Sequence, residues 1–440
     1  MKVAMVMPMS PESAIADVMM QAVPDLSARW DIEVWCPSEP SYRPCPVPVR
    51  PYADADHQLL KALAAFDLVV YVLGDSPWHS RILPLVRRLP GLAVLHDASL
   101  TNLVRHTSIE RDELDLLVHR VEMEFGSDKA EMLRSAAPVG GADAWLRFCA
   151  EVPLDEVAVE GSLGAVVHSR WHAQRVDGLT LGDVTVAPLP VPSNNLGFDE
   201  NESQSSSLLL GNLPDDAVLL VTVGAANANR RIDLLLQAVA DDEVLSNRIH
   251  LWAVGPSTSQ ARSDLLRLAR TLGLQDHFAV TGRVTDALLQ EILARADIAA
   301  ALRDPVLEGQ SASVLTQLLS GIPVVVFDHA HYSELPDDVA VKVDPKDALA
   351  GVRSALRLLV DDERERTRRG ERARDYVLGS RSGTAYAAAL LDAGERALST
   401  KPLAYLNTDL GARLHRLGLH QERAMVNAVT DLAFDLFDLA

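Results

Sequence analysis

Three groups of residues carry the chemistry this sequence can support. The first is Glu308-Gly309-Gln310-Ser311, a polar loop running into helix-compatible residues that Gly321 and Pro323 bring to an end. Small and polar residues at a helix start leave backbone N–H groups facing outward, which makes a site for an anion and above all for a phosphate. Glu308 at the mouth of that site would repel a phosphate, and fits better as an acceptor for the hydroxyls of a sugar carried on it. The second group follows the apolar run Val218–Val223: Gly224, and then Arg230 and Arg231 at a helix start. A glycine turn lets the backbone approach closely and two guanidinium groups offer bidentate hydrogen bonds, a combination suited to a diphosphate. The third is His96-Asp97, at the end of the apolar run Ala93–Leu95, where ligands of α/β sheets bind.

These residues need sheets whose strand ends face a common ligand. Val324–Phe327 reads as a strand buried on both faces, the pattern of a parallel sheet. Lys2–Met7 reads as a first strand, Ile15–Ala28 as an amphipathic helix and Asp31–Cys36 as a second strand. A helix at Leu59–Ala65 and a strand at Asp67–Leu73 lead into the loop Gly74–His79, and a helix follows over Arg81–Leu89. Thr101–Leu133 is one long charge-laced helical region with a solvated face. Gly164–Ser169 is a strand ending in His168, for which a place near a cleft and a packing role are equally open. After the stiff Val186–Pro192 segment, residues 193–214 have the polar composition of a linker. The pattern restarts at Ala217–Val223, with strands at His250–Val254, Ala279–Thr281 and Ile298–Leu302, helices at Ser263–Leu272 and Asp286–Arg295, and further helices over Ala348–Tyr376. The expected division is a Rossmann-like N-terminal domain over 1–192, a linker over 193–214 and a second Rossmann-like domain over 215–380. The C-terminal segment, about 380–440, reads as helices.

Composition agrees with two α/β domains. A chain of 440 residues is too long for one core, and 48% hydrophobic residues with only 5% aromatics suit an Ala/Val/Leu-rich α/β protein. A net charge of −20 argues against nucleic acid and anionic membrane surfaces as partners. It leaves a nucleotide open, because salt screens charges over about 8 Å and a few arginines can dominate a pocket. Cys36, Cys45 and Cys149 have no metal-ligand spacing and read as reduced thiols of a cytoplasmic protein. The N-terminus reads as a strand rather than a signal peptide, and no apolar run is long enough to span a membrane. Asp54 and Asp56 imitate a metal-binding Asp-x-Asp but sit in a polar loop and read as solvated, so no metal site is assigned. Leu403, Leu406, Leu410, Leu414 and Leu417 in the tail read first as core packing and second as a homodimer contact.

Glu308, Gly309, Gly321, Pro323, Val324 and Val325 fall in register with the signature of glycosyltransferase family 4, the retaining GT-B enzymes, which the chain resembles over residues 1–395. The resemblance implies the GT-B fold, two Rossmann-like parallel-sheet domains facing each other across a cleft, with the C-terminal helices, about 380–440, returning to the first domain. It also implies transfer of a sugar, with retention, from a nucleotide-diphosphate donor such as a UDP-sugar to an acceptor hydroxyl. No metal and no cofactor beyond that co-substrate is implied. His96, Glu308 and Arg230 take the catalytic positions. Gly224, Arg230, Arg231, Gly309, Gln310 and Ser311 take those of the donor diphosphate, with Arg230 on the family's phosphate lysine. Gly282, Arg283 and Thr316 fall near the nucleoside. Ser13, Ala14, Asp75, His79 and Asp97 fall at the acceptor or cleft, where for Asp75 and His79 a loop hydrogen bond is the equal alternative. The chain departs from the family at Ala14, where glycine is usual, at Ala225, where many members have arginine, and at Thr316, where a second glutamate holds the ribose. Those departures keep a second reading in view, a GT-B-shaped binding or regulatory protein without transfer activity. A third, a nucleotide-sugar epimerase, lacks the paired carboxylates its elimination chemistry needs.

Overall fold

The computed structural model describes the chain except for residues 12, 136–140, 192–212, 215, 417 and 419–440. Two parallel sheets organise it. The first contains β1 (Lys2–Val6), β2 (Asp31–Pro37), β3 (Val49–Tyr52), β4 (Leu68–Leu73), β5 (Leu92–Leu95), β6 (Gly164–Val167) and β7 (Val184–Val186), in the order β3-β2-β1-β4-β5-β6-β7. The second contains β8 (Val218–Val223), β9 (Ile249–Val254), β10 (Phe278–Gly282), β11 (Ile298–Ala301), β12 (Val324–Phe327) and β13 (Ala340–Val343), in the order β10-β9-β8-β11-β12-β13. The two Rossmann-like sheets expected from the sequence are both present.

Each sheet reverses its strand order once, between β1 and β4 in the first and between β8 and β11 in the second. Loops leaving neighbouring strands at such a point diverge to opposite faces and open a crevice at the C-terminal edge. The loops concerned here are those after β1, β4, β8 and β11, and they contain Ser13, Asp75, Gly224, Arg230 and Glu308.

Covering helices exclude water from both faces. Every residue of β4 and of β8 is buried, so these strands read as unbroken apolar runs. One apolar cluster continues from the first sheet through Leu189, Val191 and Tyr332 into the second, so the two halves share a dry contact. Where the first half ends and where the chain later returns to it, Val191 N–H donates to the Arg381 carbonyl at 3.0 Å. The helix Gly383–Arg416 then lies back on the first half. Tyr386 Oη reaches Met19 Sδ at 3.6 Å, Arg396 donates to Thr185 at 2.7 Å, and Lys401 Nζ donates to the Asp67 carbonyl at 2.7 Å.

The structure corrects several expected elements. The Thr101–Leu133 region is three helices, Thr101–Glu110, Leu114–Phe125 and Ser127–Arg134, divided where Asp112 (φ 58) and Gly126 (φ 92) leave the right-handed region. The helix expected over Arg81–Leu89 shrinks to Leu83–Val86. β3, β7 and β13 had no counterpart in the sequence reading. All three are sheet edges and partly exposed, so they lack the two-sided apolar run, and β3 tolerates Pro51 because an edge needs no second ladder. Asp56 of the Asp-x-Asp pair caps the helix His57–Leu63, accepting from Leu59 N–H at 2.8 Å. Of the expected linker over 193–214, only Leu213 and Pro214 are described, and Leu417 lies outside the described residues. Among the described residues no helix is long and apolar enough to cross a membrane.

Candidate active site

The corner after β8 is built around a glycine. Gly224 (φ 120) turns the chain, and its N–H donates to the Val254 carbonyl at 2.7 Å. A short 3₁₀ turn, Ala228–Arg230, follows, and Arg231 adopts a left-handed conformation (φ 49) before the helix Ile232–Ala240. Arg230 folds back beneath Gly224 and donates to the Val223 carbonyl; a side chain at 224 would occupy the guanidinium's place. Arg230 is 6% exposed and its Nε has no partner. Burial, aided by the nearby positive Arg303, lowers its pKa to about 9, so this is a cation short of counter-charge. Arg231, expected to share the diphosphate with Arg230, has carboxylate neighbours. Its guanidinium lies 3.3 Å from Asp304 and 3.6 Å from Asp233, which neutralise it.

The loop after β11 is laced to that corner. Asn229 donates to the Pro305 carbonyl at 3.1 Å, and Asp304 N–H donates to the Asn229 carbonyl at 2.8 Å. Arg230 and the approach to Glu308 therefore share one strand edge of the second sheet. Glu308 is held by Tyr332, whose hydroxyl donates to Oε1 at 2.9 Å, by Arg303 Nε at 3.4 Å and by His331 Nε2 at 3.9 Å. Burial alone would push this carboxyl up. Arg303, the neighbouring His331 and the Tyr332 hydrogen bond outweigh it and hold the group well below the usual carboxylate range. Glu308 is thus a half-buried acceptor, ionised near neutrality. Ser311 caps the helix Ala312–Leu319, accepting from Val314 N–H at 3.4 Å.

The first half presses directly on this loop. Asp97 and Glu308 form an antiparallel bridge, flanked by Gly309 N–H on the His96 carbonyl (2.9 Å) and Ala98 N–H on the Leu307 carbonyl (2.8 Å). The Gly309 amide, expected to bind phosphate, is therefore committed to His96. A side chain at 309 would come within 2.5 Å of the His172 ring, so only glycine permits this approach. Gln310, also expected at the diphosphate, instead turns its side-chain oxygen to Leu189 N–H at 2.8 Å. Glu334 spans the same gap and accepts from the amides of Trp171 (2.7 Å) and Arg170 (3.2 Å), at the start of the helix Arg170–Val176.

His96 is buried. Its Nδ1 meets His168 Nε2 at 3.1 Å, and its Nε2 has no protein partner. For Asp75 and His79 the structure displays the loop hydrogen bonds. Asp75 accepts from Leu103 N–H (2.8 Å) and Asn102 (2.7 Å) at the start of the helix Thr101–Glu110, and His79 Nδ1 lies 3.0 Å from the Val72 carbonyl. Asp97 accepts from Asp75 N–H at 2.7 Å. Burial, then the neighbouring Asp75, pushes Asp97 up to about 7, and burial pushes Asp75 up to about 6. Ser13 caps the helix Ala14–Ser27, accepting from Ala16 N–H at 3.3 Å, and Ala14 is exposed on its first turn.

The residues expected near a nucleoside are more open. Gly282 (φ 77) ends the edge strand β10 and bridges to Gly255, and Arg283 is exposed. The Thr316 hydroxyl folds back onto the Ala312 carbonyl at 3.1 Å. Sequence reasoning missed Arg303, His331 and Tyr332, the groups that hold Glu308. One signal was available: a buried carboxylate needs a cation, and Arg303 precedes it by five positions in the same loop.

Residues 217–361 match the family model for Glycosyl transferases group 1. No curated protein sequence matches the chain. Among solved structures, WaaG, a glycosyltransferase of lipopolysaccharide biosynthesis, superposes with a TM-score of 0.60 at 15% identity, covering 88% of this chain and 98% of WaaG. This chain has the GT-B fold. Two further GT-B neighbours are sucrose-phosphate synthase from Thermosynechococcus elongatus (TM-score 0.57, 14% identity, 89% of this chain and 97% of that one) and Anabaena HepE in complex with UDP and glucose (0.58, 12%, 89% and 98%). Within the GT-B frame, the matched stretch supplies Gly224, Arg230 and Glu308, while His96 faces them from the other half.

Proposed function

We propose that this protein is a family 4 glycosyltransferase, which moves a sugar with retention and without a metal from a nucleotide-diphosphate donor to an acceptor hydroxyl. One observation carries the reading: Arg230 and the helix start at Ser311 lie on one strand edge, with an ionised Glu308 between them and His96 across the gap. The match of residues 217–361 to a glycosyltransferase model supports it, and HepE, which binds UDP and glucose, makes UDP the first nucleotide to try.

The chemistry follows from charge. As the bond between the sugar carbon and the phosphate oxygen breaks, positive charge grows on the ring and negative charge on the diphosphate. Arg230 is buried, with desolvation outweighing the pull of Glu308, so it stabilises that negative charge in a medium where water competes little. The amides at Gln310 and Ser311 add to it. Glu308 accepts hydrogen bonds from the sugar hydroxyls, and His96 contacts the sugar from the first half. Attack comes from the face the diphosphate leaves, and a donor phosphate oxygen takes the acceptor proton, so no side-chain base is needed. The rungs at His96–Gly309 and Ala98–Leu307 part to admit the donor and re-form around it, excluding water.

Titration with UDP, GDP and dTDP, followed by assay of UDP-sugar turnover with and without EDTA, tests this reading. Binding of one diphosphate and EDTA-resistant turnover are expected. The rival, a GT-B-shaped binding protein, is favoured by the commitment of Arg231 to Asp304 and of the Gly309 amide to His96. It wins if a diphosphate or its sugar binds and no sugar is ever released. Failure of every diphosphate to bind removes the enzyme reading.

A further inference from the structure

The hydrogen bonds behind His96 can run in only one direction. The Ala187 carbonyl, 2.9 Å from His168 Nδ1, can only accept, so Nδ1 of His168 carries the hydrogen. Burial lowers the His168 pKa to about 4, so near neutrality the ring has one hydrogen and its Nε2 is a bare acceptor. That nitrogen lies 3.1 Å from His96 Nδ1, which must therefore donate. His96 is also neutral, because burial and then the neighbouring histidines hold it well below the ordinary value. Its one hydrogen is spent on His168. Its Nε2 is left as an unprotonated lone pair, buried and without a protein partner.

We infer that His168 is a positioning residue that fixes His96 in the Nδ1–H form and so keeps its Nε2 as an acceptor for a hydroxyl of the bound sugar. This assignment rests on the glycosyltransferase reading for its substrate, though not for its tautomer. A hydroxyl donates to the lone pair and satisfies it. A carboxylate sets lone pairs against it, and a deoxy carbon leaves it unpaired. The His96 and His168 ring centroids are 4.5 Å apart and His168 lies 5.8 Å from Tyr386, so a purely packing role for the second ring is the alternative to be tested.

Histidine-selective 15N labelling of the full chain, with long-range proton–nitrogen spectra near pH 7, reads the tautomers directly. His96 and His168 are both expected as Nδ1–H with bare Nε2. His168→Phe keeps a ring but removes the acceptor, and should move His96 toward the Nε2–H form. His168→Gln restores an acceptor oxygen and should return His96 to Nδ1–H. A native His96 carrying its hydrogen on Nε2, or a tautomer indifferent to His168→Phe, overturns the proposal. If the phenylalanine variant does not fold, the native and glutamine spectra decide. In the same spectra, addition of the UDP-sugar that binds should move the His96 Nε2 resonance as it accepts a hydrogen bond; a resonance unmoved by a bound UDP-sugar overturns the acceptor role. Loss of all nucleotide binding with the expected tautomer would sink the enzymatic reading and leave the relay standing.

Discussion

Glu308 and Asp97 face each other across the antiparallel bridge, yet their environments drive their protons in opposite directions. The depressed pKa of Glu308 contributes stability that is present above the unfolded value of about 4.3 and lost as pH falls. Glu308→Gln leaves the Arg303 guanidinium buried without its counter-charge, a loss of about 3–5 kcal/mol. The variant should melt well below the native chain at pH 7 and show no measurable sugar transfer, with the melting gap shrinking toward pH 3. Asp97 is the reverse case. Its raised pKa means that the folded state retains a proton the unfolded chain has released, so stability falls as pH rises from about 4 through 7. Asp97→Asn removes that penalty, and its melting temperature should exceed the native value at pH 8 and converge with it near pH 4.5. For Arg230, truncation to alanine should weaken UDP binding about 10- to 100-fold by calorimetry, the loss of one charge-assisted contact. Unchanged affinity would remove Arg230 from the diphosphate site.

Among the elements, the two site loops show what a sequence discloses and what it conceals. The buried central strands Val218–Val223 and Val324–Phe327 were legible as unbroken apolar runs, and the helix start at Ser311 as a cap between a polar loop and that apolar pattern. Of the four edge strands β10 was legible, but β3, β7 and β13, short and partly exposed, give no comparable run. The partners of Glu308 and His96 were not legible either. Tyr332 is 24 positions from Glu308 and His168 is 72 from His96, and local patterning does not reveal a pairing made by the fold. The Gly224 turn offers an element-level test. A side chain at 224 meets the Arg230 guanidinium, and φ 120 is costly for any residue but glycine. Gly224→Ala should reproduce the Arg230→Ala loss of UDP affinity, and far-UV circular dichroism should show the sheet intact.

At the scale of the whole molecule, the halves meet through few polar contacts: the bridge at Asp97–Glu308, Gln310 on Leu189, and Glu334 on the amides of Arg170 and Trp171. None of these pairings could be read from spacing, since each joins residues more than a hundred positions apart. Glu334→Ala removes the carboxylate that spans the gap and should shift the ligand-free molecule toward separated halves. Small-angle scattering is expected to report a larger radius of gyration that UDP-sugar reduces again; an unchanged radius would mean that the apolar contact through Leu189, Val191 and Tyr332 holds the halves unaided.

The double passage at Val191 and Arg381 adds a constraint of its own. A single tether leaves two bodies free to swivel, whereas two crossings joined by a hydrogen bond restrain twisting more than either would alone. In the proposed enzyme that restraint would help bring Glu308 and His96 to the same sugar from opposite sides.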